Sequence, residues 1–241
     1  MTMRRLLLGL AFAVSIACSP AFAADTVSFD QAFGQVVLPV EGWYVFNPGD
    51  SGGETIRGIS RHNFPKWSGW ALVDAAKSTL PPMPKFGTKA YYAWVHELNA
   101  SLKASQAFTA AVSKFYAGNF WNNYHLGELP SEFQPESEAI VDAMVNCGPI
   151  AARWVQQAMN RANGTHFKTP ASLSAADIRR LTKTDAIRFS LAFLGYRFGR
   201  YDSLAVKDAQ FEKEWLDREG ALVIRMVHER DRILKLADDL Q

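Results

Sequence analysis

The sequence predicts an α+β protein that is mainly α-helical, with one small β-hairpin. Three observations carry this expectation. Apolar residues recur at helical spacing along most of the chain. One short stretch, residues 43–60, breaks that period and contains a dense cluster of turn residues. Hydrophobic residues make up 48% and charged residues 21% of the 241 positions, which suits a packed globular core.

The first stretch stands apart from that core. Arg4 and Arg5 precede an apolar run over residues 6–17, and Ala21-Phe22-Ala23 puts small residues where a signal peptidase reads. Residues 1–23 therefore read as a secretory leader, and the run is short for a membrane span. The expectation is a periplasmic or secreted protein cleaved near Ala23. Ala17-Cys18 offers a rival lipoprotein site, against which Ser15 stands where a large aliphatic residue is usual. No later segment is apolar enough for a membrane helix. The leader carries two of the 26 basic residues and none of the 24 acidic ones, so the remainder is balanced. That balance supplies no basic stripe for nucleic acid. Cys147 is then the only cysteine left, which excludes an internal disulfide. A small buried hydrophobe is its ordinary reading, and a nucleophile the sharper one.

The remaining elements follow in order. Phe29, Phe33, Val36, Val37 and Val40 give a helix that ends at Glu41-Gly42, with Pro39 as a kink. Tyr44-Val45-Phe46 and Thr55-Ile56 flank Asn47-Pro48-Gly49-Asp50-Ser51-Gly52-Gly53, which predicts the hairpin. A short helix is expected from Gly69 to Lys77 and a long helical tract over 88–118. Pro130 and Pro135 bracket a linker. Helices are expected from Glu136 to Asn146 and from Ile150 to Asn160, separated by Gly148-Pro149. Ser174 to Asp177 reads as a helix cap, and a last long helix carries Trp215, Leu222 and Met226.

The chemistry centres on the acid that ends the first helix. A carboxylate at a helix C-terminus meets the negative end of the dipole. Trp43, Tyr44 and Phe46 could also strip water from it, and both effects raise a carboxyl pKa. That is the property of a general acid in glycoside cleavage. Such cleavage usually needs a second polar group. Asp50 and Thr55 lie across the hairpin, whose glycines permit the reversal. By spacing alone, an Asp in such a turn is usually just a turn residue.

Val40-Glu41-Gly42-Trp43-Tyr44, the Asn47 to Gly53 turn and Thr55-Ile56-Arg57-Gly58-Ile59-Ser60 resemble the N-terminal signature of glycoside hydrolase family 108. That family includes phage-type and secreted bacterial N-acetylmuramidases. The resemblance implies a lysozyme-like fold with the hairpin beside the active-site cleft. It also implies Glu41 as the functional glutamate, and the Glu41, Asp50 and Thr55 order is similar to that of phage T4-type lysozymes, which implies Asp50 and Thr55 as helpers. Phe115-Tyr116, Phe120-Trp121, Asp142 to Pro149, Val155 to Asn160 and Phe211 to Arg218 resemble the peptidoglycan-binding region that follows the catalytic part in this family. The implied organisation is a leader over 1–23, a catalytic region over 24–128 and a helical C-terminal region over 129–241, packed together. The implied partner is the glycan strand of peptidoglycan, with no cofactor and no assigned secretion-system or wall-associated partner. Trp43 stands where the family has a second glycine, Ser51 where it has a proline, and Glu214 where it has a glycine.

Other residues have competing readings. Tyr44 stacks on a sugar ring or packs under the hairpin. Arg57 contacts a stem-peptide carboxylate or is an exposed hairpin arginine. Asn146 contacts ligand or simply ends its helix. Trp121, Trp154 and Trp215 read as core. The five histidines lack metal-ligand spacing, so no zinc is inferred. The resulting expectation is hydrolysis of the β-1,4 bond between N-acetylmuramic acid and N-acetylglucosamine. The alternative is a non-catalytic glycan-binding or secretion-associated protein on the same fold, which Trp43 motivates.

Overall fold

The computed structural model describes residues 25–49, 52–205 and 212–239. The leader with Cys18, Asp50 with Ser51, Phe211 and the side chain of Trp215 lie outside the described residues. The fold is α+β and lysozyme-like: a mostly helical body carrying a three-stranded antiparallel sheet.

The first helix departs from the expected single α-helix. Helix α1 (Phe29–Ala32) is capped by the Ser28 hydroxyl and widens into a π-helical turn, Phe33–Val37. Leu38 N–H donates to Phe33 O, and Glu41 N–H donates back to Val37 O. The chain therefore unwinds over Leu38 to Val40 before reaching Glu41, as expected where Pro39 cannot continue the hydrogen-bond ladder. Widened turns of this kind recur at functional sites.

Strands β1 (Val45–Phe46), β2 (Glu54–Ile56) and β3 (Ile59–Ser60) pair in sequence order, with Val45 opposite Thr55 and Ile56 opposite Ile59. The third strand was not expected. It exists because Arg57 and Gly58 both have positive φ, 49° and 72°, as a two-residue hairpin turn requires. The helix over Lys89–Ala104 holds the sheet edge: Tyr91 Oη accepts from Phe46 N–H at 2.8 Å, and Asn99 Oδ1 accepts from Tyr44 N–H at 3.1 Å.

Helix α2 (Gly69–Ser78) agrees with expectation, and the long tract resolves into α3 (Lys89–Ala104) and α4 (Gln106–Tyr116). Ser105 divides them, ending one helix and capping the next. A π-helical turn, Ala117–Asn122, follows α4 and buries Trp121. Helices α5 (Gln134–Cys147) and α6 (Ile150–Asn163) form the expected pair. Pro135 does not bracket a linker; it lies in the first turn of α5, where its missing N–H costs nothing. Helix α7 (Ala175–Leu181) begins with a complete capping box between Ser174 and Asp177. Helix α8 (Ala186–Ala205) has no counterpart in the sequence reading. Its apolar residues lie both inside, at Phe189 and Phe193, and outside, at Ile187 and Leu191, which blurs the helical period. Helix α9 (Glu212–Asp239) closes the body.

Helix α5 runs through the middle. The first helix, α6, α8 and α9 all pack against it, so residues from both halves share one core. Trp121 and Trp154 lie in that core. Yet α5 also buries Glu136, Glu138 and Asp142. Carboxylates at that depth persist only when charged or hydrogen-bonding partners compensate them. Arg197 of α8 lies 2.7 Å from Asp142 and pairs with Glu219 of α9. Arg225 of α9 contacts both Glu138 oxygens, at 2.5 and 3.0 Å. Ser190 Oγ donates to Glu136 at 2.9 Å.

Arg197 is fully buried, so its replacement leaves Asp142 and Glu219 short of compensation. Arg197→Met is expected to cost about 3–5 kcal/mol, measured by urea unfolding. A loss below about 1 kcal/mol, the level of an exposed pair, would show that these charges are not acting as a buried network.

Candidate active site

Glu41 lies where the first helix, the β2–β3 turn, α4 and α9 converge. Its side chain is 15% exposed. The carboxylate rests against Gly58: a Cβ built at that glycine would lie 2.1 Å from Glu41 Oε2 and 2.7 Å from the Tyr116 hydroxyl. Gly58 is thus required twice, for its positive φ and for the close approach.

Arg57 stabilises the turn from the inside. It is 7% exposed, which overturns the exposed-hairpin reading. Its two terminal nitrogens donate to Glu41 O and Leu38 O, both at 2.7 Å, and its guanidinium lies 4.5 Å from the centroid of the Trp43 ring. Its own carbonyl accepts from Tyr116 Oη–H at 2.7 Å. A non-glycine residue at positive φ is costly and persists when its surroundings over-determine it. Here three hydrogen bonds do so, and two of them satisfy the Leu38 and Glu41 carbonyls at the unwound helix end.

The charges around Glu41 oppose one another. Burial pushes its carboxyl above the usual range. Arg218 of α9, 4.0 Å away, pulls in the opposite direction; Asp142 pushes up again and Arg57 pulls down. The net displacement is upward, so desolvation outweighs the two arginines. Tyr116 stays a hydrogen-bond donor, because burial and then the nearby Glu41 charge raise its phenol pKa. The site therefore holds a shielded carboxyl that retains its proton to higher pH than an ordinary glutamate. That is the chemical capacity of a general acid.

The other expected site residues are distributed unevenly. Thr55 lies in the middle of β2; strand alternation puts it on the face opposite Glu54 and Ile56. Asp50 lies outside the described residues. Tyr44 is 4% exposed and meets the Trp94 ring edge-on, so packing beneath the sheet describes its position. Asn146 is exposed near the end of α5, with Nδ2 3.4 Å from Asp142 Oδ2. Cys147 is half-buried beside the Tyr201 hydroxyl, and burial raises its thiol pKa, which disfavours a nucleophilic thiolate. Among the described residues, no three His, Cys, Asp or Glu side chains group as a metal site would require. No described helix is long and apolar enough to cross a membrane.

Sequence reasoning missed Gly58, Tyr116, Asp142 and Arg218 as site residues. Gly58 had a local signal as the second residue of a tight turn, and Tyr116, Asp142 and Arg218 stood in stretches that resemble the peptidoglycan-binding region. The other three come from α4, α5 and α9 and meet Glu41 only through packing.

A cavity of about 490 Å³ opens between the loop after β3 and α4. Phe64, Trp67 and Phe115 line it, with Lys66, Lys114 and Asn119 also at its wall.

Residues 34–148 match the family Glycosyl hydrolase 108, and the chain carries a domain of that family over this span. None of the curated proteins matches the chain. The solved structure of Brucella abortus SagA is similar in fold, with a TM-score of 0.51 and 21% identity. That likeness covers 84% of this chain and 95% of SagA.

Gly58→Ala is expected to displace the Glu41 carboxylate and strain the turn. Activity should fall together with thermal stability, and a crystal structure of the variant should show the Glu41 side chain moved. A variant with the wild-type melting temperature and an unmoved carboxylate would refute the close-approach role.

Proposed function

We propose that this protein is a peptidoglycan hydrolase that cleaves the β-1,4 bond between N-acetylmuramic acid and N-acetylglucosamine, with Glu41 as general acid. The observation that supports this most is the shielded Glu41 carboxyl, held against Gly58 in a site where burial outweighs two arginines. The family match supports glycoside hydrolysis. The aromatic cavity with its polar wall suits sugar rings, which have apolar faces and polar edges.

In this reading Glu41 donates its proton to the glycosidic oxygen as the bond to the anomeric carbon breaks. The positive charge that develops on the sugar is then quenched by water. Asp50 stabilises that charge or positions the water, and Thr55 orients it. Arg57 holds the backbone beneath Glu41, and Tyr44 holds the sheet. Asn146 contacts the glycan from the end of α5. The protein acts in the periplasm or outside the cell after loss of residues 1–23, and residues 129–241 form the helical region that packs on the catalytic part.

Glu41→Gln removes the transferable proton while preserving size. Digestion of purified sacculi is expected to drop by at least about 10²-fold, the lower end of what a positioned general acid contributes. New reducing ends on N-acetylmuramic acid, read by mass analysis of the muropeptides, identify the bond. Full digestion by folded Glu41→Gln would eliminate Glu41 as the acid. Retention on sacculi with no digestion by the wild type would favour the glycan-binding alternative.

The pH dependence has a defined sign. A carboxyl with a raised folded-state pKa destabilises the fold once ionised, so its cost is absent below its ordinary pKa and appears as pH rises through the folded-state value. Glu41→Gln should therefore melt at a higher temperature than wild type near neutral pH, with the gap closing below pH 4.5, the ordinary value. Wild-type activity should fall as Glu41 ionises. A variant less stable than wild type at neutral pH would contradict the upward displacement.

A further inference from the structure

Arg218 lies beyond the end of the family match at residue 148, in a stretch to which the sequence assigned no catalytic role. It projects from α9 into the site built by the first half. Its Nη2 is 2.6 Å and its Nε 3.2 Å from Asp142 Oδ1. The same Nη2 is 4.0 Å from Glu41 Oε1. The other Asp142 oxygen is held by Arg197, which also pairs with Glu219. Arg218 is 17% exposed and Asp142 3%, so the guanidinium is gripped from behind by a buried and itself anchored carboxylate.

We infer that Arg218 is a positioning residue of the hydrolase site: gripped by Asp142, it holds a fixed positive charge beside Glu41, so the catalytic unit extends past the family match into α9. This rests on Glu41 acting as the general acid. The distance matters in both directions. A direct two-pronged pair with Arg218 would hold Glu41 ionised and remove its proton. At 4.0 Å, with its hydrogen bonds directed to Asp142, Arg218 leaves the carboxyl free to carry a proton. It still faces the negative charge that appears once that proton is donated, where a pre-oriented cation is most useful. The charged and titratable groups facing Glu41 are Arg218 on α9, Asp142 on α5, Arg57 of the β2–β3 turn and Tyr116 on α4. Asp142 opposes Arg218 in its effect on Glu41 while fixing its place.

The test is a carboxyl-carbon NMR titration of the full chain, with the Glu41 resonance assigned by its loss in Glu41→Gln. Arg218→Met is expected to move the Glu41 midpoint upward, because an attraction that favours the ionised form is removed. Arg218→Lys, which keeps the charge, should recover part of the shift. Arg225→Met breaks the neighbouring α9–α5 pair with Glu138 and should leave the midpoint unchanged, which a merely structural role for α9 would not predict. If Arg218→Met does not fold, Arg218→Gln keeps a donor for Asp142 and carries the same expectation. An unmoved midpoint in a folded, uncharged Arg218 variant overturns the inference, as does an equal shift in Arg225→Met. The titration uses no substrate, so it can fail while wild-type sacculus digestion succeeds. Failure of that digestion would count against the hydrolase reading instead.

Discussion

Asp142 sits on the central helix with almost no access to water, and both of its oxygens accept from arginines on other helices. Arg197 reaches it from α8 and Arg218 from α9. A lone carboxylate at that depth would be neutralised or would unfold its surroundings. Two guanidiniums alone would leave excess positive charge, and Glu219 on α9 answers it through Arg197. Helices α5, α8 and α9 are thereby held in one relative placement, since no member can move without stranding another. Glu138 with Arg225 repeats the arrangement further along the same pair of helices. Buried ion pairs add little net stability compared with apolar packing, but breaking one is costly. Their effect here is to specify which face of α9 meets α5.

That placement has a chemical consequence, because Arg218 serves the core and the site together. The residue that compensates Asp142 also exerts the larger pull of the two arginines on the Glu41 carboxyl. The acid is therefore poised by two opposed influences of separate origin. Burial by the first helix, the turn and Tyr116 pushes its pKa up, whereas charge from α9 and Arg57 restrains it. Burial alone would raise the carboxyl pKa further, and the arginines alone would lower it. Arg57 shows the same economy on the other side. Its guanidinium donates to the carbonyls of Leu38 and Glu41, so the unwound helix end is held by side-chain hydrogen bonds.

Much of the fold was legible in the sequence. The hairpin was marked by its turn cluster, α5 and α6 by their apolar spacing, and α7 by its capping residues, because each signal acts within a few residues of its effect. Three features were not legible. The third strand depends on an arginine tolerating positive φ, which needs Tyr116 and two carbonyls from elsewhere to hold it. The π-helical turn depends on how the first helix packs and where Pro39 interrupts it. Helix α8 exposes apolar residues on one side and buries others, so its period carries no clear direction.

The same division applies to the site. Local sequence alone pointed to Glu41, an acid at the end of an apolar helix beside a glycine-rich turn, and the resemblance to family 108 gave that position a chemical meaning. The tertiary structure decided what surrounds it. Asp142 and Arg218 both read as parts of stretches that resemble a peptidoglycan-binding region, and nothing in their neighbours announced that they would meet beside Glu41. They are separated from Glu41 by 101 and 177 positions of chain. The physical reason is that hydrogen bonds, turns and helical periods act between near neighbours in sequence. Desolvation and charge, which decide whether a carboxyl keeps its proton, act through space and depend on which distant helices pack together.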